Sequence, residues 1–336
     1  MQRFTDRLLG DAAGFVHVVM AAVGDRLGLW HDLAAHGAAT SVQLARRMGL
    51  SERHVREWLA AMAAAQYLDY DAATRRYSID QERAALLADE RSERFLGGLT
   101  QLLVSLMKPY ERIVETFRSG GGVPQSAYDS ATYEAHERLS GPWYEHLLVQ
   151  RWLPQAGLVE RLEAGVAVCD VGCGGGIGLV KLAQAYPRSR FVGYDVFGPN
   201  VHRARHRAQR AGVTERVQFH QLDAGAGLPA RFDVITTFDV VHDAVDPHGV
   251  VRAIREALLT GGTYLCLEPR CGVHDSLFYG VSVLYCMSTS LAHGGVGLGT
   301  CGVDGPQLRA MATNAGFTTV TELPIEDPFN QLYALV

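Results

Sequence analysis

The sequence predicts an α/β protein, a parallel, doubly wound sheet preceded by a mainly helical N-terminal domain. Three observations carry this reading. From Val166 onward, strand-like runs alternate with helix-like runs. A glycine-rich loop, Gly172 to Gly176, stands between the first of these strands and the first of these helices. Upstream, two short capped helices and a hairpin pattern make a helix-turn-helix unit with a wing. A length of 336 residues suits two domains. We divide the chain into residues 1–90 for the winged-helix domain, 91–160 for a helical linker that covers the functional site, and 161–336 for the sheet domain.

The elements follow in order. Residues 11–36 read as an apolar helix and a second short one, punctuated by Gly24, Gly28 and Gly37. Thr40 or Ser41 can cap a helix over 42–48, and Gly49 makes the turn. Ser51 can cap a second helix over 52–66, with Glu52 in its first turn. Residues 67–70 and 76–79 pair as a hairpin around a turn at 71–74. Residues 81–118 are helical, interrupted at Pro109, and 119–124 form the clearest loop. Tyr128, Tyr133, His136, Trp143, Tyr144, His146 and Trp152 crowd the helices that come next. Strands then read at 166–171, 191–194, 217–220, 232–237 and 263–267, with helices at 178–185, 200–211 and 250–258. A Gly-, Ser- and His-rich insertion at 272–305 breaks the rhythm. A helix at 307–315 and strands at 318–323 and 331–336 complete the sheet.

Hydrophobic residues make up 48% and charged residues 20%, enough for a sizeable core. The formal net charge of −5 gives no general reason to expect a polyanionic partner. Cys169, Cys173, Cys266, Cys271, Cys286 and Cys301 form no CxxC pair and read as free, buried thiols in a reducing compartment. The N-terminus has no continuous apolar run, and no stretch approaches the roughly 20 apolar residues that span a bilayer. The expectation is a cytoplasmic protein without a membrane segment.

Val168-Cys169-Asp170-Val171-Gly172-Cys173-Gly174-Gly175-Gly176 is the strongest motif. Its glycines allow a tight turn and a close approach of backbone to ligand. Asp170 sits at the end of the strand, inside the motif. Asp195 closes the next strand, 19 residues after Gly176, where an acid can accept both ribose hydroxyls of a nucleoside. Asp223 follows the third strand, placed for the adenine amino group with Ala224 beside it. The set Asp170, Gly172, Gly174, Gly176, Asp195 and Asp223 resembles the motif series of class I S-adenosylmethionine (SAM) methyltransferases over residues 166–270. That resemblance implies SAM bound at the edge of a Rossmann-like sheet, with Phe238 and Asp239 on the sulfonium side. A dinucleotide-binding loop fits less well, because its fingerprint lacks the acid two residues before the first glycine.

A second motif, Phe238-Asp239-Val240-Val241-His242-Asp243-Ala244-Val245-Asp246, follows the fourth strand. It resembles the His-Asp-x-x-Asp segment of small-molecule O-methyltransferases, which implies a catalytic role for His242 and Asp243. Histidine titrates near neutral pH, so His242 can take the proton of a phenol or enol. Glu268, ending the next strand, can orient the imidazole. A third segment, Ser288-Thr289-Ser290-Leu291-Ala292-His293-Gly294-Gly295, lies in the insertion. It resembles C-methyltransferases that act on 2-oxo acids with a non-haem iron bound by two histidines. His242 and His293 occupy the matching places, which implies a divalent or ferric ion that favours the enol and so activates the β-carbon.

In the N-terminal unit, Arg46, Arg47, Arg53 and Arg56 stand against Glu52 and Glu57, a balance of only +2. Trp58, Leu59 and Met62, on the helix that would enter a major groove, read as packing residues. The whole chain resembles bacterial methyltransferases with an N-terminal winged helix, in Val55 to Leu59, Gly121 to Pro124 and Leu291 to Gly299. The resemblance implies a homodimer through that domain, a small-molecule substrate of secondary metabolism, and no nucleic-acid partner. A winged-helix DNA-binding regulator that senses SAM is the alternative.

Overall fold

The computed structural model describes residues 2–272 and 274–336. The chain falls into two compact units. One is residues 1–108 with Asp129–Pro142, and the other is Pro109–Tyr128 with Trp143–Val336. The segment 91–160 is thus shared between them.

In the first unit, helices Gln2–Arg26, Leu29–His36, Ser41–Met48 and Glu52–Ala64 lead into an antiparallel hairpin of β1 (Asp69–Asp71) and β2 (Arg76–Ser78). Thr40 caps its helix through a capping box with Gln43. Ser51 stands at the N-cap of the next helix but gives no side-chain cap; its hydroxyl meets His54 Nδ1 at 3.0 Å instead. Trp30 packs edge-on against Trp58 at 4.7 Å, among the buried Leu33, Leu44, Leu59 and Met62. Gly24 is required there, since a Cβ would lie 2.3 Å from the Trp58 ring. Trp58, Leu59 and Met62 are core residues, as their apolar character predicts.

One sequence expectation needs correction. Arg3–Arg26 forms a helix long and apolar enough, by length and composition, to cross a membrane, with a mean hydropathy of 1.4. Arg3, Asp6, Arg7 and Asp11 lie toward one end and Asp25 and Arg26 close the other, so the stretch between them, interrupted only by His17, is apolar. Only 11% of that window is buried, and Phe4, Leu8, Leu9, Phe15 and Val16 are exposed.

The second unit holds a seven-stranded sheet in the order β5-β4-β3-β6-β7-β9-β8. The strands are β3 (Ala167–Val171), β4 (Arg190–Asp195), β5 (Val217–Gln221), β6 (Phe232–Phe238), β7 (Leu258–Pro269), β8 (Val320–Leu323) and β9 (Asn330–Leu335). The first five are parallel, while β9 runs antiparallel to both β7 and β8. Along β7, Leu265 and Leu267 join one apolar cluster and Tyr264 and Cys266 the other. That alternation marks a strand covered on both faces. The chain winds outward from β3 through β4 to β5, then returns to place β6 on the other side of β3. The loops after β3 and β6 therefore diverge at a topological switch point, the place where such sheets bind ligands.

The insertion is helical over Asp275–Val281 and Met287–Ala292. Ser290 Oγ donates to Ala244 O at 2.9 Å, and Val296 N donates to Val245 O at 3.1 Å. The Gly-rich loop joins in, with Val123 N donating to Ser288 O at 3.0 Å. Gly122 must lack a side chain, since a Cβ would meet Ser288 O at 1.8 Å. Cys271 and Cys301 are bonded to each other, which corrects the expectation of six free thiols. They lie at the two ends of the insertion, whose closure brings their Cα atoms to 5.6 Å, within the usual span of a disulfide. The other four cysteines are free and buried, as expected.

Candidate active site

The loop after β3 is built by glycine geometry. Gly172, Gly174 and Gly176 have φ of 71°, 52° and 75°, the left-handed region that other residues enter at a cost. A Cβ on Gly172 would lie 2.5 Å from Val240, and one on Gly176 would lie 2.7 Å from Phe219. Above Gly174 nothing stands within 4 Å of that position. Two glycines thus serve close packing, and the third faces open space where a ligand can approach.

The acids hold this loop. Asp195 is buried and accepts from Gly174 N at 2.9 Å, Phe197 N at 2.8 Å and the Asn200 amide at 3.2 Å. Burial raises its pKa, and these donors work against that rise. Asp170 is also buried, opposite Thr236 on β6, whose hydroxyl donates to its carboxylate at 2.6 Å. Burial, with the nearby Asp195 charge, pushes Asp170 up to about 7 against that hydrogen bond. Asp223 is exposed and accepts from Gly225 N at 2.9 Å, so it caps the short turn that begins with the buried Ala224. Arg207 donates to Gly175 O from the helix after β4. Sequence reasoning missed Thr236, Asn200 and Arg207. For Thr236 the signal was its register with Asp170, readable only once β3 and β6 are paired.

The second motif closes the other side of the switch. Phe238 is buried against Tyr144 at 5.6 Å and Trp152 at 5.9 Å. Asp239 has a φ of 57°, uncommon for a residue with a side chain, although Asp adopts it more readily than most. Its carboxyl is pushed up to about 8, first by burial and then by the charge of Glu268, against the attraction of His242. With its amide turned, Asn330 donates to Asp239 Oδ1 at 3.2 Å.

His242 and Glu268 are 3% and 0% exposed. Glu268 Oε2 lies 2.7 Å from His242 Nδ1, while Glu268 Oε1 accepts from Val241 N at 2.8 Å. The carboxylate thus fixes both the ring and the turn that carries it. On the far side, Asp243 Oδ1 lies 3.2 Å from His242 Nε2. Burial alone would lower the imidazole, but the charges of Asp243 and Glu268 and a bond to Cys286 outweigh it, holding His242 well above the ordinary 6.5. Glu268, His242 and Asp243 are therefore brought together as expected. His293 stands elsewhere: it is exposed, and its Nε2 lies 3.0 Å from Gln125 Oε1. Among the described residues, the ligand-type atoms that gather with that of His242 come from Asp243 and Cys286 and not from His293, so the structure does not bring the two histidines together.

Known proteins fall into place against this geometry. Residues 16–89 match the Rv2258c-like winged HTH domain, and residues 162–290 match a methyltransferase domain. The chain carries a methyltransferase domain behind a winged helix-turn-helix domain. An uncharacterized protein of Synechococcus sp. is 34% identical over 97 residues, which cover 28% of this chain and 23% of that one. The ubiquinone biosynthesis O-methyltransferase of Leptothrix cholodnii is 34% identical over 114 residues, covering 33% of this chain and 46% of that one. The chain therefore matches less than half the length of these relatives. Over the whole chain the likeness is one of fold. The structure of a mitomycin 7-O-methyltransferase superposes with a TM-score of 0.71 at 18% identity, covering 99% of this chain and 98% of that one. Human N-acetylserotonin methyltransferase in complex with SAM gives 0.69 at 18% identity, covering 98% and 97%.

Proposed function

We propose that this protein transfers a methyl group from SAM to an oxygen of a small molecule, a phenol or enol of secondary metabolism. The observation that carries the reading is the buried His242–Glu268 pair, 2.7 Å apart, whose histidine stands on the loop that packs through Val240 against Gly172. A positioned proton acceptor and a nucleoside cradle thus meet at one switch point. Two features support SAM as the ligand: the open space above Gly174, and the Asp195 carboxylate at the end of β4, the position from which an acid can accept from ribose hydroxyls. When bound, SAM supplies an electrophilic methyl carbon on a sulfonium.

The chain's own residues do the rest. Asp195 and the glycine loop hold the nucleoside, and Phe238 walls the sulfonium side. With SAM bound, His242 would take the substrate O–H proton on Nε2 and so free the oxygen to accept the methyl group from the sulfonium, which would leave as the neutral thioether. Glu268 and Asp243 stabilise the imidazolium that results. A raised pKa makes His242 a stronger base that is neutral only at higher pH, so turnover rises with pH through its titration. His242→Ala should lower turnover by roughly 10²–10⁴-fold and leave SAM affinity unchanged. Turnover near wild type, in an assay with labelled SAM and a panel of phenols and enols, would remove His242 from the chemistry.

The exposed apolar residues of helix Gln2–Arg26 support a homodimer through the first unit. A DNA-binding role has little charge behind it, because Arg53, Arg56 and Arg47 are paired with Glu57, Glu52 and Asp32.

A further inference from the structure

We propose that His242, Asp243 and Cys286 form a metal site, with Nε2, Oδ1 and Sγ as ligands and a fourth position open to the substrate's oxygen. The three atoms lie within 4.8 Å of one another, although Cys286 comes from the insertion, more than forty positions along the chain from the other two. Three further observations point to a cation. Asp243 Oδ1 is buried and faces only His242 Nε2, so with a neutral His242 it has no hydrogen-bond donor, an expensive condition for a carboxylate oxygen. Its 3.2 Å separation from Nε2 is close to the edge of about 3.4 Å between nitrogen and oxygen ligands of a tetrahedral zinc. Glu268 holds Nδ1 at 2.7 Å, the carboxylate–histidine arrangement that orients an imidazole whose other nitrogen binds metal.

The ligand types choose the ion. One thiolate, one imidazole and one carboxylate suit Zn(II), Co(II) or Fe(II) and do not suit Mg(II) or Ca(II), which prefer oxygen. Three protein ligands leave one position free, as catalytic zinc sites do. Coordination takes a lone pair from each ligand atom. It releases to solvent the proton of the Cys286 thiol and any proton on His242 Nε2. The set differs from the two-histidine arrangement in that Cys286 replaces His293. Metal binding stands on this ligand geometry alone. Only the role of the fourth position rests on the methyl-transfer reading: without metal His242 is the base of that reading, and with Nε2 bound the ion would take over by acidifying a bound hydroxyl.

Co(II) and Zn(II) are the probes. Purified full-length protein, stripped with chelator, should take up one Co(II) per chain, with a near-ultraviolet thiolate-to-cobalt absorption band, and Zn(II) should displace it. Cys286→Ser should lose that band. Asp243→Asn should keep it and weaken Zn(II) binding tenfold or more. SAM affinity by calorimetry, measured on each variant, checks that the cradle is intact. Wild-type protein that binds no stoichiometric cobalt overturns the site, as does a band that survives Cys286→Ser. Cobalt bound as described without any SAM binding would leave the site standing and sink the methyl-transfer reading instead.

Discussion

Replacing Asp243 with Asn removes the negative charge nearest His242 Nε2 while keeping the side chain's shape. The carboxylate oxygen lies 3.2 Å from that nitrogen. At this distance two unit charges attract by about 1 kcal/mol in bulk water and about 5 kcal/mol at an effective dielectric near 20. Asp243's side chain is 30% exposed, which draws the true value toward the lower figure, whereas His242 is almost wholly enclosed. The bulk-water value is therefore the floor, and the midpoint of the His242 titration should fall by at least its equivalent in Asp243→Asn. The assay is the imidazole carbon resonance of His242 followed by NMR against pH in metal-free protein, which needs no substrate. The same titration has a sign in stability. A histidine raised on folding stabilises fully below its unfolded pKa, near 6.5, and loses that contribution as pH rises through its folded value. Wild-type protein should lose stability across that interval, and Asp243→Asn should lose less. A wild-type His242 that titrates at or below the ordinary value would refute the reasoning. So would an Asp243→Asn midpoint that stays put or moves up.

Asp195→Ala removes the acceptor that holds both Gly174 N and the proposed ribose site, so SAM affinity should fall tenfold or more, about 1.4 kcal/mol, by calorimetry; unchanged affinity rejects the assignment. Asp170 is raised to about 7 on folding, so its ionisation costs stability as pH climbs from the unfolded carboxylate range through that value. Asp170→Asn should therefore raise the melting temperature at pH 8 more than at pH 5, and an equal or opposite shift would show that burial is not the cause. Reduction of Cys271–Cys301 opens a loop closed over a sequence separation of 30, which by chain entropy is worth up to about 3–4 kcal/mol. A thermal melt unchanged by reductant would mean that the bond does not constrain the insertion.

What the sequence made legible, and what it hid, divides by how local the cause is. Gly172, Gly174, Gly176 and Asp195 could be read in advance because a strand, a tight turn and a helix lie in one short stretch, so spacing alone fixes their relation. His242 and Glu268 could be paired because one follows β6 and the other closes β7, neighbouring parallel strands whose C-terminal ends must lie side by side. Cys286 gave no such signal. It sits inside an apolar helical run, where a thiol reads as filling, and it meets His242 only because Ser290 and Val296 tie the insertion to Ala244 and Val245. The Cys271–Cys301 bond was hidden for the same reason, since it depends on where a long insertion returns to the sheet. His293 shows the converse error. Its place in the order of motifs matched a ligand position, but the helix Met287–Ala292 ends just before it and leaves it at the surface on Gln125. Motif order fixes which loop a side chain belongs to. In a long insertion, only the tertiary hydrogen bonds decide which side chain of that loop reaches the site. Here they bring Cys286 to His242 and Asp243.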